Sequence, residues 1–86
     1  MDKSIPMNWK PYKQGQLAKC NHGYYFVYQK FHHEVGSNRW FIKYEPGTHA
    51  FGEKATLTGN PRGFKTLEEA HAYSEKNAED TERALE

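Results

Sequence analysis

The feature that most constrains the fold is a run of aromatic and β-branched residues over 23–45, GYYFVYQKFHHEVGSNRWFIKYE. Both of its ends are rich in residue types that fit a pleated, half-buried surface, which predicts two β-strands. Between them, residues 34–38 contain Gly, Ser and Asn, which supply the backbone freedom that a chain reversal needs. The sequence therefore predicts an antiparallel hairpin with strands at 23–33 and 38–45.

The two predicted strands differ in their alternation. In the second strand, Trp40, Ile42 and Tyr44 share one face and the odd-numbered residues 39–45 share the other. The first strand carries aromatic residues at odd and even positions alike. Either it is a central strand covered on both faces, or one of its faces is a binding surface. The pattern leaves both interpretations open.

The chain before the hairpin contains less regular sequence. Residues 1–14 include two prolines and several polar residues, which predicts an irregular arm. Trp9 and Tyr12 are large enough to anchor this arm across the edge of the core. Residues 16–20 predict a short strand. A tight turn then follows, in which Gly23 is expected to adopt a positive φ.

After the hairpin, Pro46 and Gly47 form a strong turn signal. Residues 54–58 predict a fourth strand, with Phe51 and Leu57 as core residues of this region. The following five residues, GNPRG, predict a loop.

A helix is predicted over residues 66–78. Thr66 followed three residues later by Glu69 matches a capping box, and acidic residues in the first turn favour the helix dipole. The positions expected to face the sheet are small or apolar: Leu67, Ala70, Ser74 and Ala78. Residues 79–86 are mostly charged and are expected to fray.

These elements predict one α+β domain over residues 1–86, with an irregular arm at 1–14 and a sheet within 15–58. The sheet is an antiparallel meander of three to four strands, and the C-terminal helix packs on one of its faces. The apolar fraction is only 36%, but thirteen Phe, Tyr and Trp residues supply the bulk for a small core.

Composition narrows the classes of function. No run of about twenty apolar residues predicts a membrane span, and the N-terminal segment lacks the apolar stretch of a signal peptide. One cysteine cannot form an internal disulfide, so we expect a reducing, cytoplasmic setting. The oligomeric state is not predictable from these features.

The sequence gives no pattern for catalysis, metal or cofactor binding. Five histidines and Cys20 lack zinc-site spacing, and the adjacent His32 and His33 point to opposite faces of a strand. Cys20 lies in a predicted strand and not at a helix N-terminus, where a thiolate is stabilised. We therefore expect a binding module that is not an enzyme.

Charge is unevenly distributed along the chain. Residues 1–65 hold ten Lys or Arg and four acidic residues, a net charge of +6. Residues 66–86 hold two Lys or Arg and seven acidic residues, a net charge of −5. This asymmetry is typical of an anion-binding face, and it is equally expected from attraction between helix and sheet. A basic sheet face and an acidic helix are thus predicted.

The candidate binding residues lie on the face opposite Trp40. Arg39 and Lys43 share this face with Phe41 between them, and Lys30 joins them if the strand register allows it. Basic groups beside an aromatic platform hold nucleic-acid strands, so nucleic acid is the leading predicted partner. Arg39 and Lys43 are expected to be solvent-exposed. The alternative is a protein-interaction or inhibitor module, in some arrangements a dimer through the same face.

The chain resembles the three-strand-plus-helix modules of the AP2 type, including the arm-binding N-terminal domains of phage integrases. The segments that match are, in order, GYYFVYQ, NRWFIKYE and GFKTLEEAHAYSEK. The residues that carry the resemblance are Trp40, Phe64, Thr66, Glu69, Ala70 and Tyr73. It implies a bacterial or phage module whose sheet faces DNA. The long link before the helix and the sparse basic residues depart from that pattern.

Overall fold

The computed structural model describes residues 7–47 and 55–85. These residues form one antiparallel sheet of five strands, arranged in sequence order, followed by one helix. The elements are β1 (Lys10–Tyr12), β2 (Gly15–Cys20), β3 (Gly23–His32), β4 (Ser37–Pro46), β5 (Thr56–Thr58) and α1 (Leu67–Leu85). The predicted α+β class and meander are confirmed, with five strands where three or four were expected.

The central hairpin of β3 and β4 is confirmed. The two strands pair over ten positions each, from Gly23 opposite Pro46 to His32 opposite Ser37. The reversal uses four residues, 33–36, and Gly36 has a φ of 80° there. A residue with a Cβ rarely adopts this conformation, which explains a glycine at this point of the turn.

The turn between β2 and β3 differs from the prediction. It consists of Asn21 and His22, and Gly23 is already the first residue of β3 without a positive φ. Glycine is needed there for close packing, because a Cβ at position 23 would lie 2.3 Å from the carbonyl oxygen of Glu45. The expected residue type is therefore present for a different physical reason.

The N-terminal arm is more regular than expected. Residues 1–6 lie outside the described part, but Lys10–Tyr12 form the edge strand β1, paired with β2. An edge strand tolerates Pro11 because its missing N–H need not bond to a neighbour. The turn that follows places Lys13 at a φ of 52°. The prediction of an irregular arm is thus wrong for these residues.

The fourth predicted strand corresponds to β5, which is only three residues long. Leu57 is 61% exposed, so its assignment to the core is wrong. Register explains the error: Leu57 pairs with Lys43, on the sheet face away from the helix. Phe51 and Lys54 lie outside the described residues.

Helix α1 begins as predicted and continues further than predicted. The backbone N–H of Glu69 donates to Thr66 Oγ1 at 3.1 Å, which confirms the N-cap. The Glu69 carboxylate accepts from the N–H of Lys65 at 3.2 Å, one residue before the cap. The helix ends at Leu85, so the expectation of a frayed tail from residue 79 is wrong.

Contacts with the sheet and within the helix hold the last turns of α1. Ala78 is fully buried, and Asn21 Nδ2 in the β2–β3 turn donates to Glu82 Oε2 at 2.7 Å. Arg83 Nη2 lies 3.1 Å from Glu79 Oε2, one turn earlier. A long-range contact and an i, i+4 ion pair therefore extend a segment whose charged sequence had predicted fraying.

The core lies between α1 and one face of the sheet. Its buried apolar members are Cys20, Tyr25, Val27, Ile42, Ala70 and Ala78, with Trp40, Tyr44 and Leu67 packed around them. The predicted helix stripe is confirmed, since Ala70, Ser74 and Ala78 are fully buried. Small residues on the helix let it approach the bulky rings of the strands. In the described ranges, no helix is both long and apolar enough to cross a membrane.

Candidate functional site

The sheet face opposite α1, which we call the helix-free face, carries the predicted site residues. Directly paired residues project to the same side of a sheet, so the strand registers assign each side chain to a face. The helix-free face comprises Lys10, Tyr12, Leu17, Lys19, Tyr24, Phe26, Tyr28, Lys30, His32, Arg39, Phe41, Lys43, Glu45 and Leu57. All four predicted residues are among them.

Aromatic rings form a continuous row across this face. Tyr12 meets Phe26 edge-on with ring centroids 5.6 Å apart, and Phe26 lies 5.3 Å from Tyr28. Tyr28 lies 5.9 Å from Phe41, which in turn lies 6.1 Å from His32. Apart from the edge-on first pair, the neighbouring planes are nearly parallel. Since rings in full overlap approach to about 3.5–4.0 Å, the near-parallel rings are displaced sideways from one another.

Gly15 allows this row to cross β2. It pairs with Tyr12 on one side and Tyr28 on the other, so it occupies the gap between their rings. A Cβ at position 15 would lie 2.1 Å from the carbonyl oxygen of Val27 and 3.0 Å from the ring of Phe26. The missing side chain therefore lets the ring of Phe26 lie over the β2 backbone and join the two tyrosines.

Phe41 lies on the predicted face but is not an open platform. It is only 8% exposed, since Tyr28 and His32 flank its ring. Gly63 closes a further side, because a Cβ there would be 3.2 Å from the Phe41 ring. The expectation that Phe41 offers its own face for stacking is wrong, because its neighbours in the row and Gly63 enclose its ring.

Arg39 is also more enclosed than expected. Its Nη2 donates to the carbonyl oxygen of Gly63 at 3.1 Å, and the side chain is half-buried. Two backbone hydrogen bonds between Trp40 and Phe64, of 2.7 and 2.9 Å, hold the Gly63 segment along β4. Arg39 therefore fastens the loop before α1 to the sheet, and the expectation of a solvent-exposed guanidinium is wrong.

Lys30 and Lys43 occupy positions suited to contact a ligand. The register pairs Lys30 directly with Arg39, which the sequence left open, and Lys30 is exposed. Lys43 is half-buried, where full exposure was expected, because its ammonium lies 5.6 Å from the centre of the Tyr28 ring. Both lysines thus border the aromatic row.

Three lysines on this side of the sheet lie over tyrosine rings. Lys43 lies over Tyr28, Lys19 lies 6.0 Å from the ring centre of Tyr24, and Lys13 lies 5.5 Å from that of Tyr12. These distances fall within the range of cation–π attraction. Sequence reasoning missed Lys10, Lys13 and Lys19, because only the registers of β1 and β2 bring them beside the aromatic strand.

A shallow hollow of about 400 Å³ lies at one end of the row. Its lining residues are Tyr28, Lys30, Phe31, His32, His33, Glu34, Phe41 and Leu57. Burial raises the pKa of the Tyr28 hydroxyl. The hollow combines aromatic rings with one lysine and one glutamate, and the Glu34 carboxylate lies 3.7 Å from Arg62 Nε.

Charge is segregated between the two sides of the molecule. Among the strand residues that the structure describes, the helix-free face holds five basic side chains (Lys10, Lys19, Lys30, Arg39 and Lys43) and one acid, Glu45, which is buried. Helix α1 on the opposite side holds six acids and two basic residues. The predicted basic sheet face and acidic helix are therefore present in three dimensions, and a polyanion would be attracted to the helix-free face.

Cys20 and His71 make structural contacts. The thiol of Cys20 donates to the carbonyl oxygen of Gly23 at 3.3 Å, and burial raises its pKa, which disfavours the thiolate. His71 stacks on Trp9 with ring centroids 4.2 Å apart. Among the described residues, no group of three His, Cys, Asp or Glu side chains is arranged to hold a metal ion.

Comparison with known proteins gives no match to a family model, to a curated protein or to a solved structure.

Proposed function

We propose that this protein binds nucleic acid through the helix-free face of its sheet. The observation that carries the proposal is the row of aromatic rings bordered by lysines on that face, with six acidic residues on the helix at the opposite side. Lysines supply phosphate contacts and rings supply stacking surfaces, and nucleic-acid-binding sheets use both together.

The proposed contact residues differ in part from those that the sequence predicted. Lys30 and Lys43 remain proposed ligand residues, whereas Arg39 and Phe41 support the face from within through Gly63 and Tyr28. The half-buried rings of Tyr12, Tyr24 and Tyr28 take the stacking role first assigned to Phe41. A sheet that faces the ligand is also what the resemblance to AP2-type modules implies.

A protein partner is the second candidate. Two apolar side chains near the hollow favour it, because Leu57 is 61% and Phe31 is 49% exposed. Exposed apolar groups beside a polar rim are typical of protein interfaces. The two candidates differ in salt dependence: phosphate contacts weaken steeply as salt rises, whereas an apolar interface changes little.

The test is a fluorescence-anisotropy titration with labelled oligonucleotides of about 12 nucleotides. The double variant Lys30→Glu, Lys43→Glu should weaken binding by about tenfold or more at low salt, because it replaces two phosphate contacts with repulsion. The matched control is Lys65→Glu, Lys76→Glu, which makes the same charge change at two exposed residues off this face. The control should retain most of the native affinity.

Two outcomes would contradict the proposal. In the first, the native protein binds no oligonucleotide even at low salt. In the second, both double variants lose affinity equally, so that binding follows net charge and not the helix-free face. Circular dichroism of each variant checks that the fold is retained.

A further inference from the structure

We infer that the ligand of the helix-free face is single-stranded, and that three lysine–tyrosine pairs each receive one nucleotide. The pairs are Lys13 with Tyr12, Lys19 with Tyr24, and Lys43 with Tyr28. In each pair the base stacks on the tyrosine ring, and the displaced lysine ammonium binds the adjoining phosphate. This inference rests on the proposed nucleic-acid function and specifies its ligand.

The first step concerns competition for the ring face. In the free protein each ammonium lies 5.5–6.0 Å from its ring centre, so it occupies the surface that a base needs. An exposed cation–π contact contributes about 0.5–1 kcal/mol, whereas base stacking on an aromatic side chain contributes about 1–3 kcal/mol. A base therefore displaces the ammonium, and a phosphate follows within reach of the same lysine.

The second step concerns spacing. Tyr12 and Tyr28 share one cross-strand row with Gly15 between them, which places their backbones about 10 Å apart at two strand spacings. Tyr24 and Tyr28 are four residues apart on β3, or about 13 Å. A short flexible strand spans these separations. In a duplex the base faces are already stacked on one another and are closed to the rings.

The third step concerns rigidity. Tyr28 is held between Phe26 and Phe41, and Tyr12 rests edge-on against Phe26 over Gly15. The rings of Tyr12 and Tyr28 are thus positioned before the ligand arrives, so little side-chain entropy is lost when a base stacks on either of them.

The test follows the lysines directly by NMR. Protons near the centre of a ring face are shielded, so the ε-CH2 signals of Lys13, Lys19 and Lys43 should lie upfield of those of Lys65 and Lys76 in the free protein. Adding oligothymidylate should move the three shielded signals downfield and leave the two controls unchanged. A hairpin duplex of equal phosphate count should leave the shielding in place.

Affinity measurements give a second, independent readout. The slope of log K against log salt should decrease by about 0.7 for each of Lys19→Gln and Lys43→Gln, as expected for one phosphate contact on a single strand. Tyr28→Leu, which keeps an apolar side chain in the row, should weaken oligothymidylate at least about fivefold with little change in that slope.

These experiments distinguish failure of the paired-site inference from failure of the proposed nucleic-acid function. If oligonucleotides bind while the lysine signals keep their shielding, or if the duplex binds as tightly as the single strand, the paired-site inference is overturned and the proposed function stands. If no oligonucleotide binds, both fail. Loss of shielding on raising the protein concentration alone would assign the face to a second copy of the chain and also overturn the inference.

Discussion

At the residue scale, His71 joins the N-terminal segment to the helix. It stacks on Trp9 with an interplanar angle of 12°, and its Nε2–H donates to Gln16 Oε1 at 2.7 Å. The indole N–H of Trp9 donates to Glu75 Oε2 at 3.4 Å. The imidazole of His71, a residue of α1, therefore contacts the chain before β1 and strand β2, which fixes the edge of the sheet to the helix.

Burial of His71 predicts a pH dependence of stability. Desolvation lowers the pKa of the imidazole, and the opposing effect of the Glu75 carboxylate is smaller. The unfolded chain then binds more protons than the folded one as pH falls through about 6.5, so acid reduces the free energy of unfolding. Urea unfolding of native protein and His71→Gln at pH values above and below this window should show a smaller acid-induced loss in the variant.

The comparison between the two proteins isolates His71, because His22, His32, His33 and His49 are present in both. The loss of the Trp9 stack changes the variant's free energy of unfolding at every pH. This change cancels when the stability of the variant at low pH is subtracted from its stability at high pH. An equal or larger acid-induced loss in His71→Gln would contradict the account.

At the element scale, helix α1 is fastened at both ends. Thr66 caps its start, and the hydrogen bond from Asn21 to Glu82 holds its later turns against the sheet. Between them, the Tyr25 hydroxyl donates to Asn77 Oδ1 at 2.6 Å. The helix therefore presents its small-residue stripe to the sheet along most of its length.

Removing the cap tests this description. Thr66→Ala should lower the free energy of unfolding by about 1 kcal/mol, because the N–H of Glu69 loses its acceptor. For a domain of this size that corresponds to a fall of about 4–8 °C in Tm. Thr66→Ser keeps the hydroxyl and should stay close to the native protein. Unchanged amide exchange at Glu69 in Thr66→Ala would show that Thr66 is not the cap.

The elements that sequence predicted well are those specified by local pattern. Alternation located β4, aromatic density located β3, and the capping residues located the start of α1. The continuation of α1 to Leu85 depends on Asn21, which is 61 residues away from Glu82 in sequence. No local pattern contains a contact of that kind, so the charged tail was expected to fray.

The candidate site also combines features that local sequence predicts with features that depend on distant segments. The parity of positions 39 and 43 placed Arg39, Phe41 and Lys43 on one face, and the structure places them there. Their exposure depended on Gly63, whose segment lies along β4 and covers both Phe41 and Arg39. The position of Lys19 beside the Tyr24 ring depends on the β2–β3 register, which pairs the two residues. Neither feature is encoded within a single strand.

At the scale of the whole molecule, the sheet separates two chemically different surfaces. One side holds the acidic helix, and the other holds lysines around an aromatic row. The six tyrosines divide evenly between these sides: Tyr12, Tyr24 and Tyr28 lie on the helix-free face, and Tyr25, Tyr44 and Tyr73 lie on the helix side. The tyrosines on the helix side can therefore serve as controls when ligand-induced changes at the tyrosines of the helix-free face are measured.

The most direct measurement of the central claim is a titration of tyrosine-labelled protein with oligothymidylate at low salt, followed by aromatic 1H–13C correlation spectra. We expect the ring signals of Tyr12, Tyr24 and Tyr28 to shift with ligand, while those of Tyr25, Tyr44 and Tyr73 stay in place. Equal shifts on both sides, shifts confined to the helix side, or no shifts at all would contradict the assignment of the helix-free face as a nucleic-acid-binding surface.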